Sequence, residues 1–177
     1  MLLKLKLTPA IYLVGFMGSG KSAVGRALAD ELGWSFFDLD EEVERKAGKT
    51  IPVIFVEKGE AAFRTLESEA LAERTNQVRT GRPQVVALGG GTFTIDRNIQ
   101  LASENGVTIW LDAPLAVIEH RVAAETHRPL ARDPDSMGAL YTARREAYGR
   151  ADYQIETGEL EPAGVVLRIL ALPIFVP

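Results

Sequence analysis

Two apolar rhythms alternate along this chain, and their alternation predicts strands and helices in turn. Residues 11–14, Ile11-Tyr12-Leu13-Val14, are an unbroken apolar run suited to a buried strand. Val24, Ala27, Leu28 and Leu32 then recur at helical spacing, and Gly33 stops that helix. Residues 34–40, WSFFDLD, read as a second strand ending in two acids, with a helix from Glu41 to Gly48 behind it. A short helix over 49–58 enters through Thr50 and Pro52, Gly59 breaks it, and residues 60–77 continue with Phe63, Leu66, Ala70 and Leu71 on one side. Residues 85–88 and 107–111 predict the third and fourth strands, separated by a helix over 96–104. Leu115, Ile118 and Val122 mark the next helix, residues 136–150 another, Tyr153-Gln154-Ile155 a weak fifth strand, and Pro162 opens the last helix.

Strands that alternate with helices call for a parallel sheet covered on both faces, joined by right-handed crossovers, with ligands at its carboxyl edge. Two stretches stand outside the rhythm. Residues 1–9 alternate weakly between leucine and lysine and fit either an added edge strand or a loose tail. Residues 126–135 combine two prolines with mixed charge, the composition of a loop that closes over a site.

Composition narrows the picture modestly. A length of 177 residues suits one domain, 1–177, and 46% apolar with 25% charged residues is ordinary for a globular protein. A formal net charge of −4 argues against a nucleic-acid partner held by broad phosphate neutralisation. The chain has no cysteine, which excludes disulfides and thiolate metal sites. No apolar run approaches the roughly 20 residues of a membrane helix, so no membrane partner and a cytoplasmic setting are expected.

The chemistry concentrates where strands end. Gly15-Phe16-Met17-Gly18-Ser19-Gly20-Lys21-Ser22 matches the phosphate-binding pattern G-x-x-x-x-G-K-[ST], with a strand before it and a helix after it. Glycines let backbone N–H groups turn toward a phosphate, and the helix aims its positive end there. Lys21 would reach the terminal phosphates, and Ser22 would place its hydroxyl on a magnesium ion. Of Asp38 and Asp40, projecting to one side of an extended chain, one could hold that magnesium through water and the other orient or deprotonate a substrate hydroxyl. Asp40 could equally cap the helix that follows. Gly89, Gly90 and Gly91 leave bare backbone at the sheet edge, open to close approach. Arg64 read locally is a surface ion pair with Glu60 or Glu67, while Arg144, Arg145 and Arg150 are basic candidates on one helix. His120 and His127 read as ordinary surface residues. A phosphotransferase acting on a small molecule follows from these residues; its acceptor does not.

The segments GFMGSGKS, FFDLD, IFVEKGEAAFRTLE, LGGGT, HRPLA and RREAYGRAD, in that order, resemble the shikimate kinase family of the P-loop, nucleoside-monophosphate-kinase-like group. The resemblance runs from about residue 11 to the last helix. It implies a three-layer αβα fold with a five-stranded parallel sheet of order 2-3-1-4-5, a lid over about 126–136 and a shikimate-binding helical segment over about 41–77. The implied reaction carries the γ-phosphoryl group of ATP, with Mg2+, to the 3-hydroxyl of shikimate on the way to chorismate and the aromatic amino acids. Gly18, Ser19, Gly20, Lys21, Ser22 and Ala23 would hold the nucleotide with Arg121 and Arg128, and Ser22 and Asp38 the metal. Asp40, Arg64, Gly89, Gly90, Gly91 and Arg144 would bind shikimate, with Asp40, Lys21 and Arg128 catalytic. This moves Arg64 from the surface into the site. A monomer is expected. Another small-molecule kinase, such as a gluconate kinase, or a nucleotide-dependent switch would share the phosphate loop.

Overall fold

A computed structural model describes residues 10–124 and 134–175. The N-terminal leucine–lysine stretch, His127, Arg128 and most of the expected lid lie outside the described residues. Five strands form one parallel sheet in the order β2-β3-β1-β4-β5. They are β1 (Ala10–Val14), β2 (Ser35–Asp38), β3 (Gln84–Ala87), β4 (Val107–Asp112) and β5 (Tyr153–Glu156). Among the described residues, seven α-helices connect and cover them: α1 (Lys21–Leu32), α2 (Leu39–Ala47), α3 (Ile51–Arg79), α4 (Asp96–Asn105), α5 (Leu115–Ala123), α6 (Pro134–Tyr148) and α7 (Pro162–Leu170).

The unbroken apolar run of β1 has its reason in this order, since the central strand faces helices on both sides. Ile11 and Leu13 point into one core with Val24, Leu28, Val165 and Ile169, packing α1 and α7 on that face. Tyr12 and Val14 point the other way, into a core with Leu71, Val78, Phe93 and Tyr148 from α3, the segment after β3, and α6. Among the described residues no helix is long and apolar enough to cross a membrane.

Register places the chemistry. Leu13 of β1 and Asp38 of β2 both stand beside Ala87 of β3. The chain therefore leaves β1, β2 and β3 at one level of the sheet, and the loops after them share one edge. Strand β1 lies between β3 and β4, so the order reverses there and the crevice that a doubly wound sheet offers to ligands opens beside β1.

The expected elements form, with one informative shift in the second. Strand β2 ends at Asp38, and α2 begins at Leu39, two residues before the expected start at Glu41. Asp38, not Asp40, is the N-cap: its carboxylate accepts from the Asp40 backbone N–H at 3.0 Å. An extended chain therefore does not align the two acids; Asp40 lies in the first helical turn instead. The break at Gly59 appears as a bend inside α3, where Gly59 has φ 81° and ψ 172°.

Candidate active site

The phosphate loop is shaped by its glycines. Gly15, with φ +148°, lies where a Cβ would stand 2.7 Å from the Leu111 carbonyl oxygen, and Gly20 turns the chain into α1 at φ +91°. The first turn of α1 contains no acid, which leaves its positive end available to an anion. Lys21 Nζ donates to the carbonyl oxygens of Gly15 at 2.8 Å and Phe16 at 2.9 Å. These contacts arch the ammonium over the loop it follows. Arg121 on α5 donates to the Gly18 carbonyl at 3.2 Å and so ties that helix to the same loop.

Ser22 and Asp38 are brought together across the sheet edge, the hydroxyl donating to the carboxylate. Among the described residues there is no group of three or more side chains able to enclose a metal ion. One hydroxyl with one carboxylate is nonetheless a donor set that fits Mg2+, which keeps several waters and takes its remaining oxygens from substrate phosphates.

The three glycines after β3 serve space rather than backbone conformation, for none of them has a positive φ. Each admits a different charged side chain. A Cβ at Gly89 would stand 2.6 Å from Glu67 Oε1 and 2.8 Å from Asp40 Oδ1. One at Gly90 would stand 3.0 Å from Arg144 Nη1, and one at Gly91 would overlap the Arg64 guanidinium. Two acids and two arginines thus converge on three consecutive residues of bare backbone only because no Cβ intervenes.

Arg64 keeps the ion pairs that its local sequence suggested, 2.9 Å to Glu67 and 3.5 Å to Glu60, yet it is not a surface residue. Its guanidinium lies over Gly91 and lines the cleft. Glu67 is 1% exposed and also accepts from the Thr92 hydroxyl at 2.5 Å. A carboxylate this deep is stabilised by its charged partner and a second hydrogen bond, since burial alone would disfavour its charge. The sequence reading treated Glu67 only as a surface partner; its position one turn after Arg64 was the available signal.

Adjacent helical residues point about 100° apart, so Arg144 and Arg145 cannot both face the cleft. Arg145 grips Asp112 at the end of β4 with two hydrogen bonds, 2.6 and 2.9 Å long, and lies over the Trp110 ring at 4.8 Å. Its pKa is raised chiefly by the hydrogen bond to Asp112. Arg144 is thereby turned toward Gly90 and the Phe16 ring.

A single cleft of about 1460 Å3 contains these groups. Gly18, Ser19, Gly20, Lys21, Ser22 and Ala23 line it, as do Asp38, Asp40, Arg64, Gly90, Gly91 and Arg144. Gly89 packs just behind them against Asp40 and Glu67. Arg121 lines the far end with His120, Leu160, Glu161 and Pro162. Phe63, read from its spacing as core, also reaches the cleft wall. Arg128, expected in the lid, lies outside the described residues.

A parallel sheet with a phosphate-loop motif after its central strand, and charged side chains facing that loop across one cleft, defines the class: a P-loop kinase of small molecules. A model of the family described as shikimate kinase matches residues 17–172. A shikimate kinase of Cereibacter sphaeroides is 43% identical over 157 residues, covering 87% of this chain and 77% of that protein. One from Persephonella marina is 41% identical over 161 residues, covering 90% of this chain and 96% of its own. A solved structure of shikimate kinase from Acinetobacter baumannii in complex with shikimate superposes with a TM-score of 0.86 at 36% identity, covering 96% of this chain and 95% of that one. The chain belongs to the shikimate kinase family.

Proposed function

We propose that this chain transfers the γ-phosphoryl group of ATP to the 3-hydroxyl of shikimate, giving shikimate 3-phosphate and ADP for aromatic amino acid biosynthesis. The observation that carries this reading is the meeting of a donor half and an acceptor half in one cleft. Gly18 to Ala23 and Lys21 face Asp40, Arg64 and Arg144. Family membership supports shikimate over the acceptor of a gluconate kinase. An anionic ring acid matches two arginines in the acceptor half, because guanidinium groups pair well with a carboxylate.

In this mechanism the loop amides and Lys21 hold the phosphates in line with the acceptor, and Arg121 steadies the loop from the adenine side. Arg64 and Arg144 bind the shikimate carboxylate, which turns the hydroxyl-bearing edge of the ring toward Asp40. As the new O–P bond forms and the bond to the ADP oxygen breaks, Asp40 accepts the hydroxyl proton. The Ser22 hydroxyl and Asp38 would hold Mg2+, whose charge would offset that of the phosphates when it is bound. Arg128 would add positive charge at the transferring group from the lid. Most of the acceleration comes from positioning and electrostatics, since phosphoryl transfer asks little covalent chemistry of the protein.

A coupled assay of ADP release tests the proposal. Shikimate should stimulate release in the presence of Mg2+, chelation should abolish it, and gluconate should not replace shikimate. Asp40→Asn should lower kcat by about 100-fold or more, the scale of a lost general base. Release with gluconate but not shikimate would reject the acceptor, and an unchanged kcat in the Asp40 variant would reject its role as base.

A further inference from the structure

Tyr148 closes helix α6 four residues after Arg144, which places both on the same face of the helix. Its side chain is 1% exposed, and its ring lies against Trp110 of β4, the centroids 5.9 Å apart and the planes at 47°. Buried phenols need a partner for their hydroxyl. This one donates to the Gly90 carbonyl oxygen at 2.6 Å. Arg144 reaches the same spot: a Cβ on Gly90 would stand 3.0 Å from Arg144 Nη1 and 3.8 Å from the Tyr148 hydroxyl. Burial pushes the phenol pKa up to about 12, with the Arg144 and Arg64 guanidinium groups pulling against that rise. The hydroxyl therefore stays a donor throughout the neutral range.

The bond has a geometric consequence. A peptide is planar, and the carbonyl of Gly90 and the N–H of Gly91 belong to one plane and point in opposite directions. Fixing the carbonyl on Tyr148 fixes the direction of the Gly91 N–H. The Thr92 N–H closes a turn around this peptide by donating to the Gly89 carbonyl oxygen at 3.1 Å, while glycines at 90 and 91 supply no Cβ to restrict the plane, so the Tyr148 hydroxyl adds the restraint from outside the loop. The Trp110 ring in turn holds the phenol, and Trp110 also lies beneath Arg145, whose grip on Asp112 sets the rotation of α6.

We propose that Tyr148 is a positioning residue for recognition of the substrate carboxylate. Its hydroxyl holds the Gly90–Gly91 peptide in register with the Arg144 guanidinium, so that the amide and the arginine meet the same anion. The inference rests on the assignment of Arg144 to the shikimate carboxylate.

Tyr148→Phe keeps the ring on Trp110 and removes only the hydroxyl. The variant and the parent enzyme are compared with shikimate and with its methyl ester, which lacks the anion. The KM for shikimate should rise about three- to tenfold, the span of one lost neutral hydrogen bond. The KM for ATP should not change, and the melting temperature should stay within a few degrees. The ratio of kcat/KM for the acid over the ester should fall by the same factor. A variant that retains the full preference for the acid would overturn the proposal. So would parallel increases in both KM values with a collapsed melting temperature, which would place the phenol in the stability of the core. If the parent enzyme itself shows no preference for the acid, the assignment of Arg144 to the carboxylate has failed, and the inference falls with it.

Discussion

A methyl group at Gly91 would occupy the space of the Arg64 guanidinium, although the backbone there, φ −96° and ψ −12°, suits any residue. The glycine is required by what lies over it. Gly91→Ala should therefore leave the loop folded and push Arg64 aside, breaking the charge-assisted contact proposed for it with the substrate carboxylate. Steady-state kinetics should show a KM for shikimate about 10- to 100-fold higher, the equivalent of one hydrogen bond to a charged group, with the KM for ATP unchanged. Equal loss for both substrates would place the defect in the fold. At this scale the sequence was only partly legible. Three consecutive glycines signalled close approach, but which side chain each would admit depended on residues up to 58 positions away, as between Gly90 and Tyr148. Glu67 illustrates the same limit: its contact with Arg64 is local, while its burial follows from Thr92 and Gly89 in the distant segment after β3.

At the scale of elements, the bend in α3 has a single cause. Gly59 at φ 81° and ψ 172° occupies a backbone region essentially closed to residues with a side chain, and no atom lies within 4 Å of where its Cβ would be. Gly59→Ala thus tests backbone conformation without steric conflict. The variant should lose about 1–3 kcal/mol of stability, measured as a lower midpoint of urea unfolding at unchanged slope. An unaltered midpoint would show that the two halves of the helix can realign freely. Gly59 was readable in advance because a glycine between two apolar periodicities is a local signal. The end of β2 was not, because Phe36, Phe37 and Leu39 suit a strand as well as the start of a helix. Asp38 decided the boundary by capping the Asp40 amide while accepting from Ser22, a residue of α1.

For the whole molecule, function depends on a crevice that exists only when β3 inserts between β1 and β2. Because the phosphate loop, α5 and the start of α7 all border the nucleotide end, binding there should stabilise the fold as a unit. A nonhydrolysable ATP analogue at a hundred times its Kd should add about 2.7 kcal/mol. In thermal unfolding that corresponds to a rise of roughly 5–10 °C for a chain of this size. Replacing Lys21 with Ala should remove most of the rise, and a full rise in that variant would argue against its contact with the phosphates.

By itself the sequence determined the alternation of strands and helices, the strand–loop–helix with the phosphate-binding pattern, and most of the charged residues that meet in the cleft. Those features rest on local physics: side-chain periodicity, glycine at turns, and residue types whose chemistry does not depend on neighbours. The tertiary structure decided which charges meet. It tied Arg145 to Asp112 and so turned Arg144 to the cleft, buried Glu67 behind Arg64, gave the helix cap to Asp38, and set Tyr148 against Gly90. Each of those outcomes depends on the register of parallel strands and the rotation of a packed helix, which are set by long-range packing and are not written in any one stretch of the chain.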